Sequence, residues 1–309
     1  MKIAVVGCGA MGSVYAALFA SVGHEVWAID TARDHVAAML RDGLRLEGAS
    51  GDRTVRVQAA TDSTAAGPCD LVILATKAMH VAAAATTIPP LLGPATPVLS
   101  IQNGLGGPEA AAKVLGRERI VVGVVGGFGA SMIGPGHAHH NGWELVRLGE
   151  FDGAVTPRVE AVASLWEGAG FRVKCFDDVG QLVWEKLVCN VAYSGPCALL
   201  DVTIGELLAD PDARACSAAC ATEAHAVARA LGIRLDIEDA VRHAREFGER
   251  IPGARPSTLL DLRAGRCSEI DTINGAIPRA AARAGLQAPV NAAVTALVRA
   301  KERARGLRV

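Results

Sequence analysis

Residues 2–20, KIAVVGCGAMGSVYAALFA, decide the fold of this chain, because an apolar run leads through closely spaced glycines into a helical pattern. The β-branched residues 2–6 predict a strand, and the glycines that follow fit the G-x-G-x-x-G pattern of dinucleotide-binding folds. In that pattern Gly7 permits a tight turn, Gly9 a close approach to a pyrophosphate, and Gly12 close packing of helix on strand. The predicted cofactor-binding residues of this loop are Gly7, Cys8, Gly9, Ala10, Met11 and Gly12.

A second apolar strand, HEVWAID at residues 24–30, ends in an acidic residue. Asp30 lies eighteen residues beyond Gly12, near the spacing of the carboxylate that accepts hydrogen bonds from an adenosine ribose. Asp30 therefore joins the predicted cofactor-binding residues. A second interpretation, in which Asp30 caps the helix that follows, is compatible with the first.

The composition is that of a globular enzyme rather than of a disordered or nucleic-acid-binding protein. The chain has 309 residues, enough for two domains, half of its residues are apolar, and its formal charge of −1 provides no field to attract nucleic acid or an anionic membrane. We therefore expect a small-molecule partner. The eight cysteines form no C-x-x-C pair, which predicts free thiols, and we expect a cytoplasmic protein with neither a signal peptide nor a membrane span.

Residues 1–177 predict a Rossmann-type domain. Buried strands alternate with helical segments, which is typical of a doubly wound, mostly parallel α/β sheet. Residues 44–57 predict an inserted β-hairpin, and residues 81–92 predict one helix. In the histidine-rich segment that follows, 137–141 and 145–148 predict antiparallel strands in preference to a zinc site, because no metal ligands fall at the required spacing.

Residues 178–309 predict an all-helical domain that binds substrate and carries the catalytic residues. The predicted helices include 179–192, which Gly195-Pro196 is expected to break or kink, and 268–284, which begins near Glu269. Lys186 and Asn190 are four residues apart and share a face, and Ser194 would extend that row.

Two polar residues follow buried strands of the predicted sheet. Lys77 comes after ILAT and Asn103 after LSIQ, and ligands of such sheets bind beyond the carboxyl ends of the strands. Both are therefore candidates to line the same crevice as the glycine loop. The alternatives are a solvated loop lysine and an ordinary Asn-Gly turn. In the helical half, spacing alone does not choose between a site role and an ordinary one. The ordinary roles are a surface lysine for Lys186, a helix N-cap for Ser257 and a first-turn carboxylate for Glu269.

Over essentially its whole length the chain resembles the ketopantoate reductases (2-dehydropantoate 2-reductases). Four blocks carry the resemblance: the glycine loop, Thr76-Lys77-Ala78, Gln102-Asn103-Gly104, and the pair formed by WEKLVCN at 184–190 and EIDTING at 269–275. The resemblance implies that Lys186 acts on the substrate carbonyl and that Glu269 supports it. It further implies that Lys77, Asn103, Asn190 and Ser257 line the cofactor and substrate cleft.

Two departures from the family pattern bear on the substrate and the cofactor. Ser194 and Ala254 stand where the family commonly has asparagines that help to hold the hydroxyl-bearing end of ketopantoate. Asp30-Thr31 stands where the family usually has a basic residue for the 2′-phosphate of NADPH. A carboxylate repels that phosphate and accepts from a free ribose hydroxyl, so NAD(H) is favoured over NADP(H), with Arg33 the one feature against it.

The first hypothesis is an NAD(P)H-dependent reductase of ketopantoate or a related branched or aromatic 2-keto acid. Two alternatives remain: an NAD-dependent D-2-hydroxy acid dehydrogenase of D-mandelate type, and a non-catalytic NAD(H)-sensing Rossmann protein. The joint presence of Lys186, Asn190 and Glu269 argues against the sensor, which needs no carbonyl chemistry. The helical half offers packing faces for a homodimer, although no heptad or apolar stripe decides the oligomeric state.

Overall fold

The computed structural model describes residues 1–126, 129–142 and 145–308. The chain divides into two compact units, each described here by itself. The N-terminal unit comprises residues 1–102 and 106–179, and the C-terminal unit comprises residues 103–105 together with the chain from residue 180 onward. The short segment Asn103–Leu105 thus belongs with residues far downstream of it.

The described strands all lie in the N-terminal unit. In chain order they are β1 (Lys2–Val6), β2 (Glu25–Ile29), β3 (Leu44–Gly48), β4 (Arg53–Val55), β5 (Gln58–Ala60), β6 (Leu71–Leu74), β7 (Val98–Ser100), β8 (Ile120–Val125), β9 (Gly129–Gly134), β10 (His137–Gly142), β11 (Leu145–Glu150) and β12 (Arg172–Cys175).

Eight of these strands form the main sheet, in the order β12-β11-β8-β7-β6-β1-β2-β5. Every neighbouring pair is parallel except β8 and β11. Because the chain builds β2 and β5 on one side of β1 and then β6, β7 and β8 on the other, the strand order reverses at β1. The prediction of a doubly wound, mostly parallel α/β sheet is confirmed, and the reversal places the glycine loop at the edge where such sheets bind ligands.

The helices of this unit are α1 (Ala10–Ser21), α2 (Arg33–Asp42), α3 (Val81–Ala85), α4 (Gly107–Leu115) and α5 (Pro157–Gly168). An aromatic cluster joins α1 to α5: the rings of Tyr15 and Phe19 lie 4.9 and 5.3 Å from that of Trp166, all three buried. Such edge-to-face pairs add to the stabilisation from burial of apolar area. The helix that carries the glycine loop is therefore anchored in the core.

The predicted single helix at 81–92 is wrong. α3 ends at Ala85, and a separate 3₁₀ turn covers Pro89–Leu91. Proline has no backbone N–H with which to continue the helix. The hydroxyls of Thr86 and Thr87 instead donate to carbonyls of the last helical turn, Ala83 and Ala84.

The remaining strands form a second sheet, in the order β4-β3-β10-β9. The predicted hairpin is confirmed, because β3 and β4 pair in antiparallel fashion. The strands predicted at 137–141 and 145–148 are present but lie in different sheets: β10 pairs with β3 and β9, and β11 pairs with β8. Val146 and Leu148 alternate into the main core, so β11 buries its apolar face only in the main sheet.

The regular secondary structure in the described part of the C-terminal unit is all helical. Its helices are α6 (Val179–Leu200, whose first residue belongs to the N-terminal unit), α7 (Ile204–Ala209), α8 (Pro211–Ala230), α9 (Ala240–Arg250), α10 (Ser257–Arg263), α11 (Ala276–Arg283) and α12 (Pro289–Ala304). Its core is built from apolar residues of α6, α8 and α11, among them Val191, Ala224 and Ile277. A search of the described helices for one long and apolar enough to cross a bilayer found none.

Candidate functional site

The glycine loop has the geometry that its spacing predicts. Gly7 has φ +88°, and a Cβ there would lie 2.6 Å from the backbone nitrogen of Thr76. A Cβ on Gly12 would lie 2.2 Å from the carbonyl oxygen of Gly7, so α1 packs against the turn as only glycine permits. A Cβ on Gly9 would meet nothing within 4 Å. The loop is therefore closed on the protein side and open beside Gly9.

The first turn of α1 carries no acidic residue, and its cap residue Gly9 contributes no side chain. The backbone N–H groups and positive dipole of such a turn favour a phosphate. Burial raises the pKa of the Cys8 thiol to about 12, so the loop bears no thiolate that would repel an anion. These residues fit the pyrophosphate of a dinucleotide.

Asp30 follows β2 directly and is half-buried. Its Oδ1 accepts a hydrogen bond from the backbone N–H of Ala32 at 2.9 Å. Because Ala32 is itself the cap residue of α2, Asp30 forms a turn before the helix, and the interpretation of Asp30 as the helix N-cap is wrong. Arg33 is the exposed first residue of α2.

Lys77 lies just beyond β6, in the cap position of a 3₁₀ turn at residues 78–80. The segment between β6 and this turn is held by Gln102, whose Nε2 donates to the carbonyls of Leu74 and Thr76 at 2.5 and 3.3 Å. Gln102 thus fixes the end of β6 one residue before Lys77. From sequence, Gln102 stands out only as part of a motif, because its partners lie at the end of another strand.

Three of the predicted site residues meet in the C-terminal unit. Nζ of Lys186 donates to Oδ1 of Asn103 at 2.7 Å, and Nδ2 of Asn103 lies 3.4 Å from Oε2 of Glu269. The oxygen of the amide therefore faces the lysine and its nitrogen faces the carboxylate. Glu269 is only 7% exposed. The arrangement holds an ammonium and a carboxylate in fixed positions through one neutral amide.

Asn190 and Ser194 continue the Lys186 face of α6 at intervals of four residues. Ser194 is buried and Asn190 is half-buried. Ser257 is the exposed first residue of α10, with Pro256 in the cap position, so its interpretation as an N-cap is wrong. The two hydrogen bonds that define the Lys186 cluster include none of these three side chains, and their roles stay predictions.

Glu269 does not begin a helix, contrary to the prediction for 268–284. Residues 269–275 form successive turns, and α11 begins only at Ala276. The N–H groups of Thr272 and Ile273 both bond to the Glu269 carbonyl, at 3.0 and 3.1 Å. The Thr272 carbonyl accepts from Leu105 at 2.9 Å instead of from within a helix. The hydrogen bond from Leu105 to the Thr272 carbonyl thus replaces the bond that this carbonyl would accept within a helix.

Of the predicted break or kink at Gly195-Pro196, the kink stays a prediction and the break is wrong, since α6 continues to Leu200 with Pro196 inside it. Asn274 explains how. Its Oδ1 accepts from the Gly195 N–H at 3.2 Å, and its Nδ2 donates to the Val191 carbonyl at 2.9 Å. Gly195 and Val191 are four residues apart, so a regular helix would join this N–H and this carbonyl directly. The Asn274 amide stands between them and bonds to both. This function of Asn274 was missed, although the residue stands in the motif that carries the resemblance.

No metal-binding cluster of three or more His, Cys, Asp or Glu side chains was found in the ranges that the structure describes. His137 of the histidine-rich segment contacts Glu47 at 3.0 Å. All eight cysteines are free thiols.

Two family models match the two halves of the chain. The family described as Ketopantoate reductase PanE/ApbA matches residues 3–153, and the family described as Ketopantoate reductase PanE/ApbA C terminal matches residues 178–302. A 2-dehydropantoate 2-reductase of Streptococcus pyogenes serotype M6 is 31% identical over 278 residues, which are 90% of this chain and 90% of that protein.

Solved structures give the same likeness. A PanE/ApbA family ketopantoate reductase from Ralstonia eutropha superposes with a TM-score of 0.91 at 34% identity, covering 99% of this chain and 100% of that one. A D-mandelate dehydrogenase solved with NADH and anilino(oxo)acetate also superposes with a TM-score of 0.91, at 29% identity and with both chains fully covered.

Proposed function

The chain belongs to the ketopantoate reductase family and is an NAD(P)-dependent oxidoreductase, and on this premise we propose that it reduces a 2-keto acid at C2 to the D-2-hydroxy acid. Ketopantoate is the first substrate to consider, and related branched or aromatic 2-keto acids are next. The observation that carries this proposal is the hydrogen-bonded chain from Lys186 through Asn103 to Glu269.

Lys186 is proposed as the general acid. A bound nicotinamide supplies the hydride to C2. As C2 becomes tetrahedral, negative charge grows on its oxygen, and an ammonium beside that oxygen stabilises the transition state. The proton then passes from Nζ to the oxygen, which gives the hydroxyl and leaves a neutral amine.

Asn103 and Glu269 are proposed to orient the ammonium. The Asn103 oxygen accepts one of the three N–H bonds of Lys186, which restricts rotation of the long side chain. Glu269 holds the other end of the same amide and adds a negative charge that attracts the ammonium. Asn190, Ser194 and Ser257 are proposed to position the substrate without adding charge.

NAD(H) is the proposed cofactor, and the residues proposed to bind it are the glycine loop, Asp30, Lys77 and Asn103. Asp30 supports NAD(H) over NADP(H), because its carboxylate accepts from a ribose hydroxyl and repels a 2′-phosphate. Replacement of Asp30 by serine removes the charge and leaves a hydroxyl oxygen that can still hydrogen-bond to a ribose hydroxyl. We expect Asp30→Ser to shift the ratio of kcat/KM values toward NADPH by about tenfold; an unchanged ratio would contradict the role given to Asp30.

A D-mandelate-type dehydrogenase is the second candidate. It is supported by the likeness to a D-mandelate dehydrogenase bound to NADH, together with Ser194 and Ala254 in place of two amides. Both reactions use the same carbonyl chemistry and differ in the group that the pocket accepts.

One assay tests these proposals. Oxidation of NADH and of NADPH is measured against ketopantoate, benzoylformate and aliphatic 2-keto acids. The highest kcat/KM for ketopantoate with NADH supports the first proposal, and the highest for benzoylformate supports the second. Oxidation of neither cofactor with any member would favour the NAD(H) sensor.

Lys186→Ala tests the catalytic assignment in the same assay. Loss of general-acid catalysis is expected to lower kcat by about 10²- to 10⁴-fold while the dissociation constant for NADH changes less than about twofold. Lys113→Ala, on the exposed side of α4, is the matched control and should leave both unchanged. Full activity of Lys186→Ala, or an equal loss of turnover and cofactor affinity, would overturn the assignment.

A cytoplasmic homodimer remains the proposed state of the protein.

A further inference from the structure

His35 is a buried histidine of α2 whose two ring nitrogens both reach backbone atoms of other segments. Nε2 lies 2.8 Å from the carbonyl oxygen of Cys8 in the glycine loop, and Nδ1 lies 2.8 Å from the backbone nitrogen of Gly136 in the β9–β10 turn. The side chain is 5% exposed. One ring therefore links the loop to the second sheet.

These two partners define the protonation of the ring. The Gly136 N–H can only donate, so Nδ1 accepts, and the Cys8 carbonyl can only accept, so Nε2 donates. The ring is thus the neutral tautomer with its proton on Nε2. A side chain of different shape satisfies at most one of the two partners.

The Cys8 carbonyl accepts a second hydrogen bond, from the buried hydroxyl of Ser13 at 3.0 Å. Both lone pairs of this oxygen are therefore used by side chains inside the protein. The peptide plane is rigid and trans, so the N–H of Gly9 points away from the Cys8 carbonyl. Two buried donors, His35 and Ser13, consequently direct the Gly9 N–H to the open side of the loop.

We propose that His35 is a positioning residue for the dinucleotide: it holds the Cys8–Gly9 peptide so that the Gly9 N–H faces the pyrophosphate. This inference rests on the proposed use of NAD(H). His35 itself lies on the protein side of the peptide and acts through it. The carbonyl held by two donors also prevents the peptide from turning its oxygen toward a phosphate.

The second sheet, which the reductase chemistry does not otherwise use, supports His35 through Gly136. Gly136 has φ +71°, and a Cβ there would lie 3.0 Å from Cβ of Ala38 on α2. Its carbonyl accepts from the N–H of Arg45 on β3 at 2.8 Å. The turn is thus fixed by both α2 and the sheet, and it presents the N–H that orients His35.

Two variants of His35 separate its two hydrogen bonds. Gln carries an N–H near the position of Nε2 and retains the donor to Cys8, whereas Asn carries an oxygen near Nδ1 and retains only the acceptor for Gly136. NADH dissociation constants are measured by fluorescence titration without substrate, together with thermal unfolding. His225→Asn is the matched control, since its Nε2 also contacts a backbone carbonyl, that of Ile237, in the C-terminal unit.

We expect His35→Asn to weaken NADH binding about tenfold and His35→Gln less than about threefold, with kcat at saturating NADH within about twofold in both. His225→Asn should leave NADH affinity within about twofold. Ser13→Ala, which removes the second donor, should weaken binding about threefold.

A merely structural role predicts that the Gln and Asn variants lose stability and affinity alike, because each loses one buried bond. Equal dissociation constants for the two variants would therefore overturn the positioning role. If His35→Asn does not fold, an unchanged affinity in Ser13→Ala overturns it instead. Failure of the unaltered chain to bind NADH or NADPH would overturn the proposed function, and this inference with it.

Discussion

The glycine loop at residues 7–12 and the segment at residues 269–275 are both short turns that carry a motif, but their motif residues act in opposite ways. The glycines of the loop act by lacking side chains, since a Cβ at Gly7 or Gly12 would lie within 2.6 Å of backbone. In the second segment the constraint is the presence of side chains: Glu269 reaches Asn103, Asp271 reaches Arg299, and Asn274 reaches into α6.

This contrast explains why the structural role of the glycine motif can be predicted from sequence and that of the EIDTING motif cannot. The glycine pattern depends on local backbone geometry, which can be predicted from the spacing of the glycines alone. The EIDTING motif depends on contacts with residues elsewhere in the chain, and its spacing does not predict those residues. Four predictions test this contrast, in order of decreasing effect.

Gly12→Ala should have the largest effect on stability. Its Cβ would lie 2.2 Å from the Gly7 carbonyl oxygen, a backbone atom within the tight turn, so the free energy of unfolding should fall by about 3 kcal/mol. Gly9→Ala is the control within the same motif, because its Cβ meets nothing within 4 Å, and it should cost less than about 1 kcal/mol. Denaturant unfolding measures both, and equal losses would show that backbone clash is not the constraint.

Asn274→Ala should lower the free energy of unfolding by about 2 kcal/mol, since it leaves the buried Gly195 N–H without its acceptor and Val191 and Asn291 without a donor. Thr272→Val, two residues earlier, should cost less than about 1 kcal/mol, because the carbonyl of Thr272 and not its side chain reaches Leu105. The same unfolding measurement applies. A larger loss for Thr272→Val would mean that the Thr272 hydroxyl, which donates to the Glu269 carbonyl at 3.1 Å, holds the segment more firmly than Asn274 does.

Glu269→Gln should lower kcat about tenfold, a difference of about 1.4 kcal/mol, while NADH affinity is retained. The variant keeps an oxygen near Asn103 and removes only the charge that attracts the ammonium. Steady-state kinetics with the best keto acid, beside NADH titration, measure the two quantities. Glu238→Gln, an exposed neutralisation in the same unit, serves as the control, and equal turnover in the two variants would remove Glu269 from the mechanism.

The smallest effect concerns acid stability. Burial raises the pKa of Asp271, but hydrogen bonds from Arg308 and Arg299 outweigh it and hold the pKa below its usual range. The carboxylate therefore stabilises the fold above the unfolded pKa of about 3.9, and this contribution is lost as the pH falls through the lower folded pKa. Asp271→Asn should cost less than about 1 kcal/mol at pH 7, and this cost should diminish as the pH falls through the folded pKa. A cost that does not diminish with falling pH would exclude ionisation as its cause.

Much of the fold was predictable because it rests on local patterns. Apolar runs locate the strands that precede the glycine loop, Asp30 and Lys77. The alternation of these strands with helices predicts the parallel sheet. The errors arose where distant groups replace local hydrogen bonds. Asn274 lets α6 continue past Pro196, and Leu105 takes the Thr272 carbonyl that a helix would use.

The residues of the site were easier to predict than the hydrogen bonds that join them. The resemblance named Lys186 and Glu269, but spacing alone could not show that Asn103 joins them. His35 was not identified, because an isolated histidine in an amphipathic helix gives no indication that its ring reaches two remote backbone atoms. Gln102 was noticed only as a neighbour of Asn103.

The three residues Asn103–Leu105 belong with the C-terminal unit although the chain on either side of them belongs with the N-terminal one. A chimera made by exchanging one half of this protein at a single crossover near residue 180 would join a lysine from one parent to an amide from the other. The Leu105–Thr272 backbone pairing would likewise be mixed. To keep Lys186 and its acceptor Asn103 from the same parent, recombination of such enzymes therefore needs two additional crossovers, one on each side of residues 103–105.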